Sequence, residues 1–484
     1  MSRGAGTGRG VVSVTIQRAS SLESARSSNR WKDAPSGPAR SGFATGLTDA
    51  SMRRKLTGPG ADDPGSPRSA GGFDRFDAMP DSIRSIAIAG AWGYIGRKLV
   101  DAGLRAGLEV HVLDPGPVPP DFDPGRVHRV DDADRFYALE ADLFHLALHP
   151  EARKPGLTRL LARTRSEALW ILNEKPMVAP EEAGEAGALV EAVDRSRAVM
   201  LFDFPELFDP LTHRIIDHLS GFREVVLTSI EVERSKDREA PDLTRNFKRM
   251  LPIQFQESVH CLAFVLFVLA SLRKTAPHRR DLPARKPAAG NPDGPGEPAL
   301  IQRLESVLAG GLQVSAESQP YDPPNPADYP HIVDGRCDYR LTLGRLSVAG
   351  RTNFKRGAPW SKRRRLRGTA DGRPLTIEAD YLEGGKWLRI DGIDQAWDRD
   401  ADSYAAVLAT IARWRQQVSR ETLLTGIHPN PRLARLALQL SGALWRSSRE
   451  RRSVEIPNLE ALQRFASGFR EARPQLPKYP DRAR

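Results

Sequence analysis

The stretch Ile83–Gly107 constrains this chain more than any other. An apolar run, Ile83–Ala89, leads into Gly90-Ala91-Trp92-Gly93-Tyr94-Ile95-Gly96. From Tyr94 onward apolar residues recur at helical spacing (Ile95, Leu99, Ala102, Leu104), and Gly107 supplies a C-cap. A strand that turns through glycines straight into a helix opens a parallel α/β unit. Glycine permits the tight turn and lets phosphate groups approach the backbone at the helix N-terminus. The spacing is G-x-x-G-x-x-G. It reads either as a dinucleotide-binding turn, touched through Gly90, Trp92, Gly93, Tyr94, Ile95 and Gly96, or as a tight turn without a ligand.

The text that follows keeps alternating. Leu108–Leu113, Leu143–Leu148, Ala168–Leu172 and Val199–Phe202 read as strands, and the Ala-rich Pro180–Ser196 reads as a helix. This order predicts a doubly wound parallel sheet of the Rossmann type. Asp114 closes the second strand. A carboxylate there accepts ribose hydroxyls and repels a 2′-phosphate, which favours NAD over NADP; Asp114-Pro115-Gly116 is also ordinary turn chemistry. His149-Pro150 ends a strand at the same carboxyl edge and reads equally as a cofactor contact or a turn. Asn173-Glu174-Lys175-Pro176 ends another. Only 13 of the 72 basic residues are lysines, so an ammonium at that edge stands out. It can hydrogen-bond a substrate hydroxyl and help its proton leave.

The second half reads differently. Leu211–Leu219 suggests a helix, Glu224–Val232 a strand and Gln256–Leu272 a largely buried helix. Thr275–Glu297 is a Pro/Gly/Arg-rich loop. Alternating strands then follow at Cys337–Leu343, Leu346–Thr352, Arg363–Gly368, Leu375–Ala379 and Trp387–Ile390, joined by glycine turns. They predict a large, open, mainly antiparallel sheet, after which amphipathic helices Ala401–Arg420 and Leu433–Ser447 return. Gln256-Glu257-Ser258-Val259-His260 opens the apolar helix. His260 is either a satisfied core histidine or a general base, and Glu257, on the same helix face, could orient or replace it. Lys362-Arg363-Arg364-Arg365-Leu366-Arg367 places Arg363, Arg365 and Arg367 on one strand face, which reads either as a surface for an anionic substrate or nucleic acid or, as is usual for a charge run, as a solvated or subunit-contacting face.

Length and charge set the remaining bounds. A chain of 484 residues holds about two or three domains. The net charge of +11 raises the question of nucleic acid. Residues 1–79 supply 12 Lys/Arg against 7 Asp/Glu, however, and are too poor in large apolar residues to repay ordering. The sequence therefore predicts a disordered tail over 1–79, with Met79 an alternative start to Met1. A nucleotide-binding domain over 80–203 and a substrate and oligomerisation domain over 204–473 follow, with a flexible loop at about 275–297 and a frayed end at 474–484. No nucleic-acid motif, signal peptide or bilayer-length apolar run stands out. Cys261 and Cys337 alone make neither a disulfide framework nor a zinc site, which points to a reducing, cytoplasmic setting with no metal.

Taken in order, the glycine turn, Glu174-Lys175-Pro176, the phrase Leu201–Leu219, the His260-opened helix, the antiparallel sheet and the return helix Leu433–Ser447 resemble the Gfo/Idh/MocA oxidoreductases, over about Ile83 to Ile456. The resemblance implies a Rossmann domain followed by an α/β domain with an open sheet. It also implies hydride transfer between a nicotinamide, NAD or NADP, and a carbinol or carbonyl carbon of a sugar, cyclitol or polyol. Lys175 would act at the substrate and His260 as acid/base, in a homo-oligomer joined through the second sheet. The chain departs from the family pattern in several places. Gln256 stands where the family carries an Asp, Ser258 replaces a Gly, Ala263 replaces an Asp, and Leu207-Phe208 replaces an Arg-Phe pair. Gln256 keeps two other readings open: a nucleotide-binding sensor or partner subunit without turnover, and an NAD-assisted lyase or glycosidase.

Overall fold

A computed structural model describes residues 83–164, 168–239, 250–272, 299–323, 332–397 and 401–465, all within the unit Phe73–Arg484. The expected tail over 1–79, the loop at 275–297 and the end at 474–484 lie outside the described residues.

Six strands form the first sheet: β1 (Ser85–Ala89), β2 (Glu109–Leu113), β3 (His128–Arg129), β4 (Leu143–Leu146), β5 (Trp170–Glu174) and β6 (Val199–Asp203). Their order is β3-β2-β1-β4-β5-β6, and every pairing is parallel. All five residues of β1 are buried, as expected of a strand covered on both faces. The helix Tyr94–Arg105 lies on this sheet through Leu99, Val100 and Ala102. Strand order reverses between β1 and β4, which opens a crevice at their carboxyl ends. The helix Ser403–Gln417, far down the chain, completes the layer by packing Tyr404, Val407 and Ile411 into the same cluster as Ile86, Ile88 and Leu99.

Nine strands form the second sheet: β7 (Val225–Ser235), β8 (Leu312–Pro320), β9 (Asp334–Leu343), β10 (Leu346–Asn353), β11 (Arg363–Ala370), β12 (Arg373–Asp380), β13 (Trp387–Ile390), β14 (Ile393–Asp394) and β15 (Val454–Ile456). The order is β14-β13-β12-β11-β7-β10-β9-β8-β15, antiparallel except where β7 meets β10. The helices Val259–Ser271 and Pro431–Glu450 share one hydrophobic cluster with this sheet. Gln254–Ser271 is long and apolar enough to cross a bilayer by length and composition, but 89% of it is buried inside the protein.

The arginine run splits by face. Arg364 is buried beside the Phe264 and Tyr381 rings. Arg365 and Arg367 lie on the other face and are answered across strands by Glu231 (3.5 and 3.4 Å), with Glu378 2.5 Å from Arg365.

The boundaries differ from expectation where local signals mislead. The segment read as one helix over Pro180–Ser196 begins as a tighter 3₁₀ stretch, Pro180–Glu185, before the helix Ala186–Asp194. Sequence assigns nothing to Pro150–Arg163, which is a helix containing Pro155. Pro155-Gly156 reads as a breaker, yet the helix continues through Pro155 at the loss of one backbone bond, and Gly156 makes room for the Tyr137 hydroxyl.

Candidate active site

A cavity of about 820 Å³ runs along the carboxyl edge of the parallel sheet to the near ends of β7 and β11. Gly90, Trp92, Gly93, Tyr94, Ile95, Asp114, His149, Glu174, Lys175, Glu257 and His260, expected from sequence at scattered positions, all line it. Gly96 stands behind the wall. A Cβ there would collide with the Gly90 carbonyl, so its glycine serves the packing of helix against turn.

At one end the wall is backbone. Gly90 has φ +78°, and a Cβ on it would lie 2.5 Å from the Ala147 oxygen. The Gly93 amide donates to the Gly90 carbonyl (3.1 Å), and the helix begins at Tyr94 without a side-chain cap. An uncapped first turn beside a glycine cradle suits a pyrophosphate. The Asp114 carboxylate accepts from the Trp92 amide (2.9 Å) and the Gly116 amide (2.8 Å). It therefore braces the glycine turn from the tip of β2, where a ribose would lie. The Trp92 indole packs against Phe122, with centroids 5.1 Å apart. His149 stands at the N-cap of the helix Pro150–Arg163. These residues fit a dinucleotide.

At the other end the wall is side chain. Arg153, 2% exposed, donates to the Glu174 and Pro176 carbonyls and fixes the turn that carries Lys175, whose bond to Pro176 is cis. The Lys175 ammonium donates to the Gln256 carbonyl (2.5 Å). The Gln256 amide oxygen accepts from the Leu251 N–H (3.2 Å) within its own segment. His260 follows the single wide π-turn Gln254–Ser258, is 4% exposed, and meets the Phe204 ring edge-on.

The carboxylate beside His260 is Glu206, 3.4 Å from Nδ1. Glu257, expected to orient or replace His260, accepts from Arg234 Nε at 2.9 Å, and Arg234 Nη1 also donates to Glu206. Glu257 thus sets the guanidinium that holds Glu206.

Electrostatics follow from this packing. Burial, and then the Arg234 and Lys175 charges, push His260 down to about 3, so the imidazole is neutral near pH 7. Burial would raise the Glu206 carboxyl, but Arg234, His260 and Lys362 together outweigh it and hold Glu206 well below the usual carboxylate range. An anionic Glu206 at Nδ1 favours the tautomer with the proton there, leaving Nε2 as the basic nitrogen. Behind Lys175, burial raises Glu174, and burial with the nearby Glu174 raises Asp203 further; like charges at this depth keep a proton between them. His145 lies 3.8 Å from Glu174, and burial pushes it down to about 3.

Sequence reasoning missed Asp203, Glu206, Arg234 and Lys362, all on the cavity wall. Asp203 ends β6, and Glu206 follows it at the edge that holds Lys175, so the strand-end rule that singled out Lys175 could have found both. Arg234 was hidden because β7 runs to Ser235, past the expected end at Val232.

No protein-family model and no curated protein matches the sequence. In three dimensions the chain is similar to an aldose–aldose oxidoreductase from Caulobacter crescentus complexed with glycerol, with a TM-score of 0.52 and 13% identity, covering 77% of this chain and 99% of that one. It is also similar to a provisionally assigned myo-inositol dehydrogenase from Sinorhizobium meliloti, with a TM-score of 0.50 and 16% identity, again covering 77% and 99%. At such identities the likeness speaks for the fold. The resemblance read from the glycine turn and Glu-Lys-Pro therefore holds at that level: the chain has the two-sheet fold of the Gfo/Idh/MocA oxidoreductases.

Proposed function

We propose that this chain is a nicotinamide-dependent oxidoreductase that interconverts a carbinol and a carbonyl on a sugar-, cyclitol- or polyol-like substrate, with NAD preferred. The observation that carries the reading is a single cavity joining a glycine cradle to Lys175 and His260. The turn Gly90–Gly96 and the first turn of the helix Tyr94–Arg105 would hold the pyrophosphate, and Asp114 the ribose. When bound, the nicotinamide supplies hydride acceptance or donation.

The remaining work falls to side chains. Lys175, an ammonium fixed on the Gln256 carbonyl, places a positive charge where oxygen charge develops as the substrate O–H weakens. His260 Nε2 accepts the hydroxyl proton. Glu206 stabilises the imidazolium that forms, and Arg234 and Glu257 fix Glu206 in place. The acid missing at Gln256 is thus replaced by one from the segment after β6, which favours turnover over a non-catalytic sensor.

The test is NAD reduction followed across a panel of aldoses, inositols and polyols. Lys175→Met is expected to lower kcat by about 10²–10⁴-fold while NADH still binds. Undiminished turnover in that variant would overturn the role assigned to Lys175.

A further inference from the structure

The described wall of the cavity carries six Lys or Arg side chains and six carboxyl groups, two of which, Glu174 and Asp203, keep a proton between them. Arg234 is bonded through Nε to Glu257 and through Nη1 to Glu206, and its Nη2 makes no bond among the described residues. Lys362 stands at the start of β11, close enough to Arg234 and Glu206 for their charges to act on it. No described carboxylate lies within ion-pair distance of its ammonium. Burial, and then Arg234, lower its pKa against the opposing pull of Glu206 and Glu383, neither of which makes an ion pair with it. Lys236 is already engaged with the Tyr94 hydroxyl at 2.8 Å.

Two further features line the same region. The Ser235 hydroxyl is buried on the wall with no hydrogen-bond partner among the described residues. Trp360 also lines the cavity, and it is one of only two large hydrophobic side chains exposed among the described residues, at 42%.

We propose that the substrate is an acid: a sugar or polyol bearing a carboxylate, which the Lys362 ammonium and the Nη2 edge of Arg234 bind, with the carbon skeleton against Trp360. The proposal rests on the oxidoreductase reading and names its substrate class. One ammonium and one guanidinium edge match the two oxygens of a carboxylate. The carboxylate gives Lys362 a direct ion pair that it makes with no described carboxylate, and the attraction is strong because the site is partly shielded from water.

The experiment is calorimetric titration of the NAD-loaded full chain with matched pairs: glucose against gluconate and glucuronate, and galactose against galacturonate, with glucose 6-phosphate alongside. The acids are expected to bind at least about tenfold more tightly than their neutral partners, about 1.4 kcal/mol. Lys362→Gln should erase that difference and Lys362→Arg should keep part of it, with folding of both checked by circular dichroism. Equal binding of neutral and acidic partners, preference for the phosphate ester, no binding of any acid while NAD binds, or an undiminished preference in Lys362→Gln would each overturn the proposal. Failure of NAD and NADH to bind overturns the oxidoreductase reading instead, and the same titration on the cofactor-free chain then decides the carboxylate site by itself.

Discussion

At the glycine turn the cavity wall is main chain, set by a positive φ at Gly90 and the close approach of Gly96 to Gly90. At the Lys175 end the wall is a charge lattice drawn from segments far apart in the chain: Glu174 and Lys175, Asp203 and Glu206, Arg234, Glu257 and His260, and Lys362. The first end is local in sequence and tolerates few residue types. The second is non-local, and its parts have meaning only once the two sheets face each other. Substitutions at the two ends should therefore fail in different ways.

The largest expected effect is at the backbone end. Gly90→Val puts a β-branched residue at φ +78° and drives its Cβ into the Ala147 carbonyl. The strain costs of order 1–3 kcal/mol and the branch fills the phosphate cradle. NADH affinity should fall by about 100-fold or more, that is about 2.7 kcal/mol or more, as read by titration. Retained affinity would break the contrast by showing that the turn does not carry the cofactor.

At the lattice end, Glu206→Gln leaves Arg234 and His260 short of a buried partner, and breaking such a pair costs about 3–5 kcal/mol. A lower melting temperature with NADH affinity nearly kept is expected. Here kcat should fall far more than KM rises, because Glu206 acts through His260.

The contrast extends to pH. His260 and His145 are pushed down to about 3 and His428 to about 4, burial being the leading cause in each. Each stays neutral in the folded protein while the unfolded chain takes up a proton below pH 6.5. Stability is therefore complete above that value and lost as pH falls toward 3. The slope is at most about 1.4 kcal/mol per pH unit for each group, measurable as a falling denaturation midpoint. A flat profile between pH 6.5 and 4 would show that these imidazoles are not buried neutral.

The smallest effect belongs to the open face of the second sheet. Arg367→Ser removes a half-exposed ion pair with Glu231 and should change stability by less than about 1 kcal/mol.

The same contrast explains what could be read from the amino-acid sequence. The parallel sheet, the glycine turn and Lys175 after β5 were legible, because alternation and strand-end position are local patterns. Asp114 was placed correctly at the tip of β2, but its bracing bond to the Trp92 amide was not foreseen, since it joins two loops. Glu206 and Arg234 escaped because nothing in their neighbourhoods shows that they meet. Gln256, read as the loss of an acid, is a loss only along the helix; in space Glu206 stands at His260. The helix Pro150–Arg163 was hidden by Pro155-Gly156, and β8 by its polar interior, Ser315–Gln319.

The proposed function stands or falls with a nicotinamide dinucleotide bound on the glycine turn beside Trp92. Titrating NADH while following tryptophan emission tests it directly, with Trp92→Phe as the control that separates this indole from the other seven of the eight in the chain. Saturable quenching is expected, with an amplitude that shrinks in Trp92→Phe. No saturable change with either NADH or NADPH up to millimolar concentration would contradict it.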